Sequence, residues 1–219
     1  MKIFSHNKKL NALSFDTDIT QCSKSCELYQ SGLIPYCKQS LDRLFFSPFA
    51  FRLKRNNRKI KLTNFEKLAN EELRQLRPNE NLIRLYSFGD LSSVQDLEKW
   101  IRISKMNKNK LFWLSTRQDS ILFEYLEQLG GVIPQNLTIR YSLPLIDTPK
   151  FLDEFLKKYG IVKSQIVDKK IKSNCQASKD NKNRGCRDCF KCWTKADLIN
   201  YFNHGNMKYR LKDYLRFFR

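Results

Sequence analysis

The sequence predicts an α/β fold: a parallel sheet, either open or curled into a partial β/α barrel, carrying two cysteine-rich metal loops. Three observations point that way. Between Thr63 and Val167, short β-favouring apolar runs alternate with stretches of helical period. Proline or glycine punctuates the joins at Pro78, Gly89, Gly130, Gly131 and Gly160. The seven cysteines fall into two groups that flank this repeating unit.

Each element can be justified in chain order. Ala12 to Asp18 reads as a strand, with Leu13 and Phe15 alternating before a polar end that begins at Asp16. The first cysteine loop, Cys22 to Cys37, follows directly. The aromatic stretch LFFSPFAF at 44–51 is broken by Pro48 and reads as core, and the basic run 52–61 as an exposed connection. Phe65, Leu68, Leu73 and Leu76 mark one face of a helix that ends before Pro78. LIRLYSF at 82–88 is the next strand, and Ser92 or Ser93 can cap a helix carrying Val94, Leu97, Trp100 and Ile101 on one side. LFWLS at 111–115 and the helix DSILFEYLEQL at 119–129 repeat the unit, as do LTIRYSL at 137–143 and a helix from Lys150 to Lys158. IVKSQIV at 161–167 is the last strand of an α/β domain spanning 1–167, and 168–219 forms a cysteine-rich segment with a basic tail.

Strand alternating with helix implies a parallel sheet, and ligands of such sheets collect at the carboxyl ends of the strands. The residues there are Asp16 and Asp18 after the first strand, Ser87, Gly89 and Asp90 after the second, Ser115, Thr116 and Arg117 after the third, and Ser142 after the fourth. Helix caps and turns account for most Ser, Thr and Asp in such places. The cysteines are what set this chain apart, and both groups are expected at one end of the sheet.

Lys and Arg number 41 against 22 acidic residues, a formal net charge of +19 that favours a polyanion such as DNA or RNA. The charge is clustered, at Arg52, Lys54, Arg55, Arg58, Lys59 and Lys61 and again across 169–187. A solvated lysine-rich surface of the kind an A/T-rich genome encodes accounts for the same total. No window approaches the ~20 apolar residues of a membrane span, and no basic segment followed by an apolar one opens the sequence. The expectation is a soluble protein of the cytoplasm or another reducing compartment, without a membrane partner. Closely spaced thiols there serve more often as metal ligands or catalysts than as disulfides.

The late set runs Cys175-x10-Cys186-x2-Cys189-x2-Cys192. Zinc sites usually use two Cys-x2-Cys pairs, whereas a consecutive Cys-x2-Cys-x2-Cys run is closer to the wrapping of bacterial ferredoxins around a 4Fe-4S cubane. Iron–sulfur is therefore the first expectation and zinc the alternative. The early set, Cys22-x3-Cys26-x10-Cys37, has three cysteines. Three thiolates on a cubane leave one iron open to a substrate or cofactor, unless His6, His204 or a late cysteine completes the set. No Ser/His/Asp set, His-Glu-x2-His or phosphate-binding glycine loop competes with this chemistry, and no catalytic residue is assigned.

The early cysteines, YSFGDLSSVQDLEKW at 86–100 and Cys175 followed by GCRDCFKCW at 185–193 together resemble the phage gene-product-88-type proteins, a cysteine-rich family of phages and plasmids. A more distant resemblance is to radical S-adenosylmethionine enzymes, which place a three-cysteine loop after the first strand of a partial β/α barrel and a glycine- and acid-containing turn after the second. That resemblance implies a cluster on Cys22, Cys26 and Cys37, with S-adenosylmethionine held at Ser87, Gly89 and Asp90. Here ten residues precede the third cysteine where that superfamily typically has two. Two functions follow as expectations. One is an iron–sulfur enzyme of radical S-adenosylmethionine type acting on a nucleic-acid-related substrate. The other is a non-enzymatic zinc- or iron–sulfur-stabilised nucleic-acid-binding protein of a mobile genetic element.

Overall fold

A computed structural model describes residues 2–7, 10–18, 20, 22, 48–143, 149–167, 174–175, 189–195 and 198–202. Within them a mostly parallel seven-stranded sheet carries five α-helices. The strands are β1 (Ser5–Asn7), β2 (Ala12–Phe15), β3 (Leu82–Leu85), β4 (Leu111–Thr116), β5 (Leu137–Ser142), β6 (Val162–Val167) and β7 (Leu198–Phe202). The helices are α1 (Pro48–Lys59), α2 (Phe65–Arg74), α3 (Val94–Met106), α4 (Asp119–Phe123, continued by a π-helical stretch Glu124–Gln128) and α5 (Lys150–Lys158).

The strands lie in sequence order from β1 to β7. β1 pairs antiparallel with β2, and every later pair is parallel. Parallel neighbours in sequence order, joined by crossovers of one hand, bring their helices to one face of the sheet. The core confirms it. Leu13, Phe15, Ile83, Leu85, Phe112, Leu114 and Ile139 share a single buried cluster with Leu97, Trp100 and Ile101 of α3, Leu122 of α4, and Leu152 and Leu156 of α5. Residues one position out of phase point the other way, because successive strand side chains alternate. Registered pairing aligns Ser14 with Arg84, Arg84 with Trp113, Ser115 with Arg140 and Ser142 with Ser164 across that second face.

Several sequence expectations are refined here. Ser93 is the cap of α3, its side chain accepting the Asp96 N–H at 3.2 Å. The first two predicted strands end early, at Phe15 and Leu85. Thr17 N–H instead donates to Phe88 O and Asp18 N–H to Asn57 Oδ1, and Tyr86 takes a left-handed φ of 60°. The basic run 52–61 is not an exposed connection: most of it is helix α1, with Pro48 at the first helical position. Leu53, Asn56, Lys59 and Ile60 are buried at helical spacing. Asn56 donates to Asp16 O at 2.8 Å and Lys59 to Lys2 O, so α1 ties down the end of β2. Strands β1 and β7 were not anticipated. Among the described residues no helix is long and apolar enough to cross a membrane.

Candidate functional site

The carboxyl end of β2 is organised around Asp16. Its buried Oδ1 accepts the N–H groups of Ser87 at 2.6 Å and Phe88 at 3.2 Å, and Oδ2 accepts from Ser14 Oγ at 3.2 Å. The left-handed Tyr86 costs about 1–2 kcal/mol in a non-glycine residue. It immediately precedes the two N–H groups that meet Asp16, and the Tyr86 hydroxyl accepts from Trp100 Nε1 at 2.9 Å in the core. Gly89, at φ 73°, has no room for a side chain: a Cβ would lie 2.1 Å from Thr17 Oγ1 and 2.7 Å from Thr17 O. Asp90 Oδ1 accepts from Thr116 Oγ1 at 2.6 Å and Leu91 N–H at 2.8 Å, while Oδ2 accepts Arg117 N–H at 2.9 Å. Asp90 thus ties the β3 turn to the β4 turn. Burial lifts its carboxyl to about 6, against the pull of those hydrogen bonds.

Of the three residues expected to hold a cofactor, Gly89 and Asp90 are therefore engaged with the protein, and Ser87 is the one whose side chain is left over. Its buried Oγ has no hydrogen-bond partner among the described residues. Ser87 and Phe88 line a cleft of about 250 Å³, with Ser5, Ser14 and Asp16 from the strands and Phe49 and Arg52 from α1. Phe49 and Phe88 meet edge to face at 5.2 Å, and the Arg52 guanidinium lies 4.9 Å from the Phe49 ring centre.

The second face of the sheet carries the late cysteines. A 3-10 turn, Lys191–Trp193, lies on it. Thr138 Oγ1 donates to Trp193 O at 2.9 Å, Arg140 donates to Lys191 O at 3.3 Å and Thr194 O at 3.1 Å, and Trp193 Nε1 donates to Ile83 O at 3.0 Å. Trp193 joins Trp113, Ala12, Leu82 and Cys192 in a small second core, so the turn packs on the earlier residues of β2 to β4 and reaches past the middle of β5 and β7 at Arg140 and Tyr201. Cys192 is buried and 3.3 Å from the Tyr201 hydroxyl; Cys175 packs against the same cluster and donates its N–H to Asn200 O at 3.3 Å. Burial pushes the Cys192 thiol up, and the Tyr201 hydrogen bond and nearby Arg140 pull it down. Tyr201 rises well above its ordinary value, chiefly through burial.

Cys189 is half-buried just before the turn, and Cys22 is half-buried beyond β2. Cys26, Cys37 and Cys186 lie outside the described residues, as does His204. Among the described residues no three His, Cys, Asp or Glu side chains form a metal-holding group.

A family model, described as gene product 88, matches residues 20–198. The chain belongs to the gene product 88 family. The shared span takes in every cysteine of the gene product 88 protein, the Asp90 turn and strands β3 to β6. Neither the curated proteins nor the solved structures contain a significant match.

Sequence reading missed Arg140, Thr138 and Arg52 as site residues. An arginine inside the apolar strand LTIRYS was the available signal for the first, since a central strand tolerates a buried cation only where acceptors await it.

Proposed function

We propose that this gene product 88 protein is a metallothiolate protein. In this reading Cys175, Cys186, Cys189 and Cys192 hold an iron–sulfur cluster, or zinc in its place, against the second face of the sheet, and a nucleic-acid-related substrate binds at the carboxyl edge. One observation carries it: Cys175 packs against the small cluster that holds Cys192, and Cys192 sits on a turn that Arg140 and Thr138 fasten to the sheet. Burial raises the Cys192 thiol on balance, and Arg140 and Arg84 only partly offset it, so a thiolate at Cys192 needs the metal's own charge.

Such a centre supplies electron transfer if it is iron–sulfur, or structural closure if it is zinc. Arg140 orients the turn and Tyr201 caps the Cys192 sulfur. The enzymatic form of the reading, S-adenosylmethionine cleavage at a cluster on Cys22, Cys26 and Cys37, rests on the distant resemblance, with three cysteines after the first strand, and the ten residues before Cys37 depart from that pattern. Anaerobic purification followed by iron, sulfide and zinc analysis tests the proposal. It predicts stoichiometric metal that is lost in Cys192→Ala. A metal-free chain of unchanged stability would refute it.

A second reading, nucleic-acid binding, is favoured by α1, where Arg55, Arg58 and the following Lys61 are exposed on one short stretch. Its affinity should fall steeply with salt as phosphate counterions are displaced. Absence of binding near ~50 mM salt, where such electrostatic binding is strong, would exclude it.

A further inference from the structure

We infer that the cleft between β2, the β3 turn and α1 is a mononucleotide site, with Arg52 reading the phosphate. The inference deepens the nucleic-acid-related substrate proposed above, and it does not depend on the metal. The cleft sits at the carboxyl ends of two adjacent parallel strands, where open α/β sheets bind their ligands.

Three groups in it are prepared for a ligand of mixed character. Ser87 Oγ is buried with no partner among the described residues, although a buried hydroxyl left unsatisfied is costly. Arg52 has no carboxylate partner among the described residues and is held by stacking on Phe49, which leaves its N–H groups for an anion. Phe88 and Phe49 give aromatic surface for a flat ring.

Asp16 shapes the chemistry by what it no longer offers. Its oxygens already accept from Ser87 N–H, Phe88 N–H and Ser14 Oγ, so it fixes the wall of the cleft rather than serving as a base or a metal ligand. Its remaining negative charge favours a ligand that turns ribose hydroxyls or ring N–H groups toward the strands and its anionic end toward α1. That polarity suits a nucleotide and disfavours a purely anionic ligand. The volume, about 250 Å³, falls below the ~300–1,000 Å³ usual for drug-sized ligands and fits one nucleotide better than a dinucleotide.

The test is calorimetric titration of the full chain with AMP, adenosine, inorganic phosphate and S-adenosylmethionine, repeated on Arg52→Gln and Ser87→Ala. AMP should bind more tightly than the other three. Arg52→Gln should weaken AMP about tenfold, as expected for one charge-assisted contact, and leave adenosine unchanged. Ser87→Ala should weaken AMP and adenosine alike. AMP binding unaffected by Arg52→Gln, inorganic phosphate binding as tightly as AMP, S-adenosylmethionine binding more tightly than AMP, or no AMP binding at all would each overturn the assignment. Metal analysis of the same preparation is a separate readout, so failure here and failure of the metallothiolate reading are distinguishable.

Discussion

Phe15, Leu85, Leu114 and Ile139 face the helices on one side of the sheet, while Ser14, Arg84, Ser115 and Arg140 alternate with them on the other. The first side is closed by apolar area, and its cover is a layer of helices. The second is closed over part of its extent by a short turn held through hydrogen bonds to carbonyl oxygens. Area burial is non-directional and tolerates small shifts, whereas a turn held by a few directional bonds has one seat and can be released locally. The helix face therefore supplies global stability, and the turn face holds Cys175 and Cys192, the thiols that the proposed function assigns to metal.

That contrast can be broken at its strongest point first. Trp100 is fully buried against Phe15 and Phe65, with ring centres 5.0 and 5.3 Å away. Trp100→Ala should cost about 3–5 kcal/mol of global stability, measured by denaturant unfolding. A cost near 1 kcal/mol would mean that the helix face is not the stabilising one.

Asp90 gives the next effect, roughly 3 kcal/mol at most, through pH. Its carboxyl ordinarily titrates near 3.8 and is lifted to about 6 in the fold. Below pH ~4 both folded and unfolded chains hold the proton. As pH rises through ~6 the unfolded chain has already released it, so folding loses this contribution. Stability should fall between those values in the parent protein, and Asp90→Asn should remove that slope even if it lowers stability throughout by mismatching the Arg117 N–H. An unchanged slope in the variant would assign the titration elsewhere.

The smallest effect sharpens the other side. Thr138→Val keeps the shape and deletes the hydrogen bond to Trp193 O, for about 1 kcal/mol. Global unfolding should barely move, but alkylation of Cys192 in the folded protein should accelerate about fivefold. Equal loss in both measurements would show that the turn is part of the main cooperative unit.

The rhythm of the sheet was legible because strand and helix periods differ and glycines separate them. Ser93, Leu97 and the Lys150–Lys158 helix stand where their patterns put them. Helix α1 was hidden because Arg52, Lys54, Arg55 and Arg58 mask the buried spacing of Leu53, Asn56 and Ile60. β1 has three residues and no apolar alternation, and β7 follows the cysteine run that drew attention to metal chemistry. Ser87, Gly89 and Asp90 were found as a group, yet spacing could not show that Gly89 answers to Thr17 and Asp90 to Thr116, since the first partner lies just past β2 and the second ends β4. The clamp on Cys192 was illegible for the same reason: its donors, Arg140 and Thr138, lie some fifty residues upstream.

The most direct test is to map cysteine alkylation in the native, anaerobically prepared protein by mass spectrometry, with and without a metal chelator. The account predicts that Cys175, Cys186, Cys189 and Cys192 are protected together and become reactive together once the chelator is added. If Cys175, Cys186 and Cys189 react at the rate of an unfolded peptide before any chelator is present, no centre is held there and the account is wrong.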